Sequence, residues 1–263
     1  MAFHPDLAVQ ATVALATGLV YVFVARLIMN RHPSTDARLA NSMFAVWWGA
    51  FGLLEFSVGA YQVPAAFGFQ DLALVIALLN LILLLIVVAL WGLVYYLVYL
   101  YTGSSRSFWP ITILYMILAA AMLYLVAWIE PTGFKADGTL SYTRQLTGFP
   151  SIAIGLAFSL PVVLAALGYG SLYFQAQART QRFRIGMVAG SFLAWFSWSA
   201  LSALLQLSQK AQDAAAAGNG TIQNTLIVVN SAISIIVPIL IVLAYRPPRW
   251  FQDRFRIGSV QEG

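Results

Sequence analysis

The chain has 263 residues, 61% of them hydrophobic and only 9% charged, with a mean hydropathy of +0.81. A soluble domain carries about 25% charged residues, so this chain has too few to cover a water-exposed surface and is expected to face lipid as one helical bundle. There is no cysteine, which excludes disulfides, thiolate chemistry, cysteine-ligated clusters and S-palmitoylation.

The net charge of +5 and the pI near 9.6 raise the question of nucleic acid. The basic residues are placed in short connections between apolar runs, with no basic and aromatic surface on which bases could stack, so nucleic acid is not an expected partner. The opening Met1-Ala-Phe-His-Pro-Asp6 holds no basic residue, whereas Arg26 and Arg31 follow the first apolar run. A cleaved signal peptide has a positive n-region; here the first run reads as a retained, reverse-oriented transmembrane helix.

A helix needs about 20 apolar residues to cross a bilayer core of about 30 Å. Seven segments meet that length: Leu7 to Met29, Leu39 to Tyr61, Leu72 to Tyr101, Phe108 to Ile129, Ile152 to Phe174, Ile185 to Leu207 and Ile222 to Tyr245. The third is the longest; Leu72 to Val94 suffices to span, and Tyr95, Tyr96, Tyr99 and Tyr101 carry it into the headgroup zone. Trp109 and Trp128, near the ends of the fourth, fit the same aromatic belt.

Lys and Arg divide unequally between the two sides. Arg26, Arg31, Arg38, Arg106, Arg179, Arg182, Arg184, Arg246, Arg249, Arg254 and Arg256 fall on one side, and Lys135, Arg144 and Lys210 on the other. The positive-inside rule makes the first set cytoplasmic. The expected fold is therefore an all-α, multi-pass seven-helix bundle of the cell membrane over residues 1–245. Its N-terminus is outside, and residues 246–263 form a short basic cytoplasmic tail.

The loops between helices are mostly short. The outer stretch from Pro131 to Phe149 is longer, and Asp137-Gly138 between short extended runs is a hairpin signal. Gln209 to Thr221, rich in Ala, Gly and Asn, is expected to be a mobile loop; its Asn219-Gly-Thr221 matches a glycosylation sequon, a match that chance explains. Gly186-Met-Val-Ala-Gly190 is a GxxxG whose expected use is close helix packing. Pro161 and Pro238 are expected to kink their helices. The tail mixes Arg246, Arg249, Arg254 and Arg256 with Trp250, Phe251 and Phe255. That composition suits contact with inner-leaflet lipid, including anionic headgroups, and could also dock a cytoplasmic partner.

Several chemistries are missing. His4 and His32 lie outside the apolar runs, so neither a haem ligand nor a His–carboxylate metal cluster is available. Both lysines, Lys135 and Lys210, are in outer loops, which removes a retinal Schiff base and rejects an opsin despite the matching helix count. Animal-type receptor motifs fail too. No acidic-Arg-Tyr triplet ends the third helix, and Asn230-Ser-Ala-Ile-Ser-Ile-Ile-Val-Pro238 has no Asn-Pro pairing. A bound lipid or other apolar ligand is the one small molecule left open.

Within the apolar runs, Glu55 is the ionisable side chain that lies well inside. An ionised carboxylate at that depth costs about 2.5–3.5 kcal/mol on insertion scales. Asn80 and Asn230 lie eight residues from the outer starts of their helices, and Trp195, Ser199, Ser202 and Gln206 follow one helical stripe. Glu55, Asn80, Ser202 and Asn230 thus fall in the outer half of the membrane, with Trp195 and Trp198 beneath, as candidates for an outward-open ligand pocket. Interhelical glue is the competing use of such residues.

Three functions follow in order. The first is a sensor or receptor-like module binding a small or lipophilic ligand from the outer half, its output requiring a separate partner. The second is a non-catalytic subunit of a larger membrane complex, binding a pigment, quinone or lipid. The third is a transporter or proton-coupled carrier using Glu55, although no internal repeat of the kind such carriers show is visible. One acid without a base, nucleophile or metal set supports no named reaction, so an enzyme is not expected.

Overall fold

A computed structural model describes residues 3–30, 35–128, 131–134, 140–142, 149–215 and 220–255. The helices are α1 (Pro5–Met29), α2 (Thr35–Ala66), α3 (Leu72–Thr102), α4 (Phe108–Trp128), α5 (Phe149–Gln175), α6 (Arg179–Ala215), α7 (Gly220–Tyr245) and α8 (Arg249–Phe255). Between α4 and α5 a short antiparallel hairpin pairs β1 (Pro131–Phe134) with β2 (Leu140–Tyr142). It lies where the hairpin signal was read, although Asp137 and Gly138 themselves fall outside the described residues. Its register shifts between Pro131 and Gly133, a bulge of the kind that bends a strand.

Among the described residues three helices, Leu7–Met29, Ala37–Ala66 and Leu72–Thr102, are long and apolar enough to cross a bilayer. Two shorter apolar stretches, Phe108–Ala121 and Ala232–Tyr245, follow among the described residues. The chain divides into two compact units, Met1–Ala157 and Phe158–Gly263.

In the first unit, α1 and α2 run antiparallel and are tied at both ends. The His4 N–H donates to the Ala66 carbonyl at 2.9 Å, just before Pro5 opens α1 in the position where a missing N–H costs nothing. At the other end the Asn41 amide donates to the Ile28 carbonyl at 2.8 Å, satisfying one of the carbonyls that a helix end leaves open. Between these ties glycine lets the backbones meet. A Cβ on Gly18 would lie 2.9 Å from the Gly52 carbonyl oxygen and 3.3 Å from the Glu55 Cβ. One on Gly52 would lie 2.7 Å from Val22 Cγ2, and one on Gly59 2.7 Å from Leu15.

The α3 helix starts where Asp71 accepts from the Leu74 N–H at 3.1 Å, an N-cap bond. It stops at Gly103, whose φ of +64° closes the helix at no steric cost. Its contact with α2 is closest at Gly92, where a Cβ would meet the Met43 carbonyl oxygen at 2.6 Å. Around this contact lies an aromatic core. Trp47, Trp48, Phe44 and Tyr95 are fully buried; Phe44 stacks on Tyr96 at 4.4 Å, and Tyr95 meets Phe108 edge-on at 5.2 Å. Tyr95 therefore turns into helix packing, while Tyr101 is exposed. The Trp91 indole donates to Thr112 at 3.1 Å, joining α3 to α4.

In the second unit, Tyr169 of α5 stacks on Phe192 of α6 at 5.9 Å. Both glycines of the GxxxG face neighbours: Gly186 lies against the Tyr173 ring and Gly190 against Leu240. The guanidinium of Arg182 donates through two nitrogens to the Ala176 carbonyl at 2.9 and 3.2 Å, closing the end of α5.

Several helix bounds differ from the expected ones. The α2 helix runs to Ala66 through Pro64, five residues past Tyr61. Arg179, Arg182 and Arg184 open α6 rather than occupying a loop, and α6 continues to Ala215 through what reads as a mobile connection. For the far end of α6 the reason is propensity. The stretch Gln206 to Ala215 is mostly Ala, Gln, Leu and Lys, all strong helix formers, and hydropathy carries no information about where a helix ends once it has left the apolar layer. Residue 219 of the sequon lies outside the described residues.

These contacts predict opposite outcomes for two glycine substitutions. Gly92→Ala puts a methyl against backbone and should cost about 1–3 kcal/mol. Gly170→Ala meets nothing within 4 Å and should be neutral or stabilise by up to about 1 kcal/mol. Thermal unfolding in detergent compares the two directly.

Candidate functional site

Helical periodicity gives α2 two working faces in its second half. Gly52, Glu55 and Gly59 turn to α1, where Glu55 brings its Cβ against Gly18. Leu53, Phe56, Ser57 and Ala60 turn to α3, where Leu78, Leu81 and Leu85 complete the lining of an open groove of about 280 Å³. That volume is near the lower end of small-molecule sites. Seven residues separate Leu85 from the tight contact at Gly92, and over residues 78–85 the two helices leave this space between them.

The groove is apolar. Its hydroxyl, that of Ser57, already donates to the Leu53 carbonyl at 2.9 Å, so the lining offers no free donor to a guest. Asn80 is half-buried on α3 and outside the lining; its amide donates to Ile76 of the same helix at 3.0 Å. That bond satisfies the side chain locally.

The α1–α2 seam is different. Glu55 is half-buried and makes no hydrogen bond or ion pair among the described residues. Counted from Ala66 rather than Tyr61, it lies about 16 Å from the end of its helix, deeper than the apolar run alone implied. Thr17, next to Gly18, is 2% exposed, and its hydroxyl has no partner among the described residues. One heptad along each helix, Gln62 donates to Gln10 at 3.5 Å, leaving the buried Gln62 Oε1 without a partner there. Gln10 and Thr17, and likewise Glu55 and Gln62, are seven residues apart, so each helix carries one polar stripe into the seam.

The candidates named from the sequence do not gather in one lining. Glu55 belongs to the seam, and Asn80 bonds to its own helix. Trp195, fully buried, belongs to the second unit. The side chains of Trp198, Ser202 and Asn230 lie outside the described residues, as do those of Ser199 and Gln206. Sequence reasoning missed Gln10, Thr17 and Gln62, although their heptad spacing was a usable signal. It also missed the groove, whose leucines look like any lipid-facing stretch.

By its fold the chain is a helical protein which, among the described residues, has one short hairpin and three helices long and apolar enough to span a membrane. No family model and no curated protein matches it.

The partnerless hydroxyl yields a sharp expectation. Thr17→Val keeps the shape and removes a buried polar group, so stability should hold or rise by about 1 kcal/mol. A fall in unfolding temperature would show that the hydroxyl makes a bond the helices depend on.

Proposed function

We propose that this chain is a seven-helix protein of the cell membrane, N-terminus outside and C-terminus in the cytoplasm, that binds a lipophilic ligand in its outer half and acts as a sensor or receptor-like module. The observation that carries the reading is the groove between α2 and α3. With the proposed orientation it lies in the outer half, its lining is hydrocarbon, and it opens sideways to where lipid would be. A guest recognised there is an apolar chain or ring, held by area rather than by polar bonds.

The same helix supplies an output. Phe56 of the groove adjoins Glu55 of the seam, so a guest that displaces α2 from α3 also shifts α2 on α1. The seam resists sliding because glycine packing and a desolvated carboxylate both depend on register. Two arrangements of α2 biased by the guest are what a receptor needs, with a separate cytoplasmic protein reading the change.

Native mass spectrometry of protein gently extracted from its own membranes tests this. A stoichiometric lipophilic mass is expected. Ala60→Trp, which fills the groove, should reduce it tenfold or more, a loss of roughly 1.4 kcal/mol. Glu55→Gln, outside the lining, should retain it. Loss with Glu55→Gln and retention with Ala60→Trp would move the ligand out of the groove. Co-purifying subunits with no small mass would favour the complex-subunit reading instead, and uptake lost with Glu55→Gln the carrier. Orientation has its own check: reporters fused to the two ends should report opposite sides of the membrane.

A further inference from the structure

We infer that the turn from α7 into α8 forms a binding site for an anionic phospholipid. The apolar stretch of α7 ends at Tyr245, and Arg246-Pro-Pro248 redirects the chain into α8. That turn is fixed: the Gln252 amide donates to the Pro247 carbonyl at 2.7 Å, and the Phe251 N–H donates to the Pro248 carbonyl at 3.0 Å. Phe251 is half-buried and lies 5.6 Å from Phe183 of α6, which sets α8 against α6.

Anchored in this way, α8 presents Trp250, 68% exposed, beside the exposed Arg249, with Arg246 exposed at the end of α7. Neither arginine makes an ion pair among the described residues. Arg182 shows the contrast, because its guanidinium is committed to closing α5. An uncommitted pair of guanidiniums next to an exposed indole, at the level where an apolar helix stops, matches one chemistry. The arginines take a phosphodiester by charge-assisted bonds, and the indole sits among the glycerol and upper acyl atoms. An acidic protein segment would satisfy the arginines but leave Trp250 in water, so lipid is the better occupant. The site is independent of the α2–α3 groove.

The full chain in detergent, titrated with short-chain phosphatidylglycerol or phosphatidylcholine and followed by native mass spectrometry, decides the point. The wild type should prefer phosphatidylglycerol. Arg246→Gln with Arg249→Gln should cut that preference by about 30-fold, from two charges near a surface, with the unfolding temperature unchanged because both side chains are exposed. Trp250→Ala should weaken both lipids alike, and Ala60→Trp, which fills the α2–α3 groove, should leave the preference for phosphatidylglycerol over phosphatidylcholine unchanged. An undiminished preference in the double arginine variant overturns the site. So does full displacement of the lipid by glycerol phosphate, which would make this a site for free phosphate esters.

Discussion

The approach of α1 and α2 at Gly18 and Gly52 is the constraint from which the first unit follows. A methyl on either residue would press into the partner's backbone, so the two helices meet main chain to main chain. In lipid, hydrocarbon outside a helix pair is as apolar as leucine between them, and area burial gives no preference for association. What remains is dispersion at short range, which falls off within a fraction of an ångström, together with polar bonds such as Asn41 to Ile28 and His4 to Ala66. Glycine at 18, 52 and 59 secures the first, and the end ties secure the second.

That close approach also sets where polar groups can go. Thr17, Glu55 and Gln62 lie along a seam too tight to hydrate freely, and the hydroxyl of Thr17 and the carbonyl of Gln62 lack partners among the described residues. Partnerless groups cost about 1–3 kcal/mol each, and in this seam the Gln62–Gln10 bond offsets only part of that cost. Asn80 and Ser57 satisfy themselves on their own helices and carry no such debt. Outside the seam, the Tyr95 and Ser107 hydroxyls are likewise buried without a partner among the described residues.

Much of the architecture was legible because hydropathy reports what lipid demands. The helix starts at Leu72 and Phe108 and the α7 end at Tyr245 agree with the apolar runs. Helix ends beyond the apolar runs did not, as Ala66 and Ala215 show: helix propensity carries α6 to Ala215, while α2 reaches Ala66 in spite of Pro64, with its last carbonyl tied to His4. The site was less legible. Depth along a helix can be counted from sequence, but facing cannot, and Glu55 and Asn80 lie at similar depth on faces with different neighbours. A groove lined by Leu78, Leu81 and Leu85 leaves no trace in composition, since leucine against a guest and leucine against lipid are chemically the same.

The adjacency of Glu55 and Phe56 links the two halves of the reading. On a helix, neighbouring residues are turned by about 100°, so α2 shows its seam to α1 and its groove to α3 at one level. The helix is also held unevenly: Gly92 clamps it to α3 at one level, while residues 78–85 leave space at another. A guest entering that space acts on the end of α2 that α3 does not hold closely, with the Gly92 contact as the fixed point. The response is then borne by the α1–α2 seam, where a shift of a few tenths of an ångström already meets backbone. A contact that cannot deform continuously must either hold or change register, and this makes the α2 helix the element through which an apolar ligand would be read.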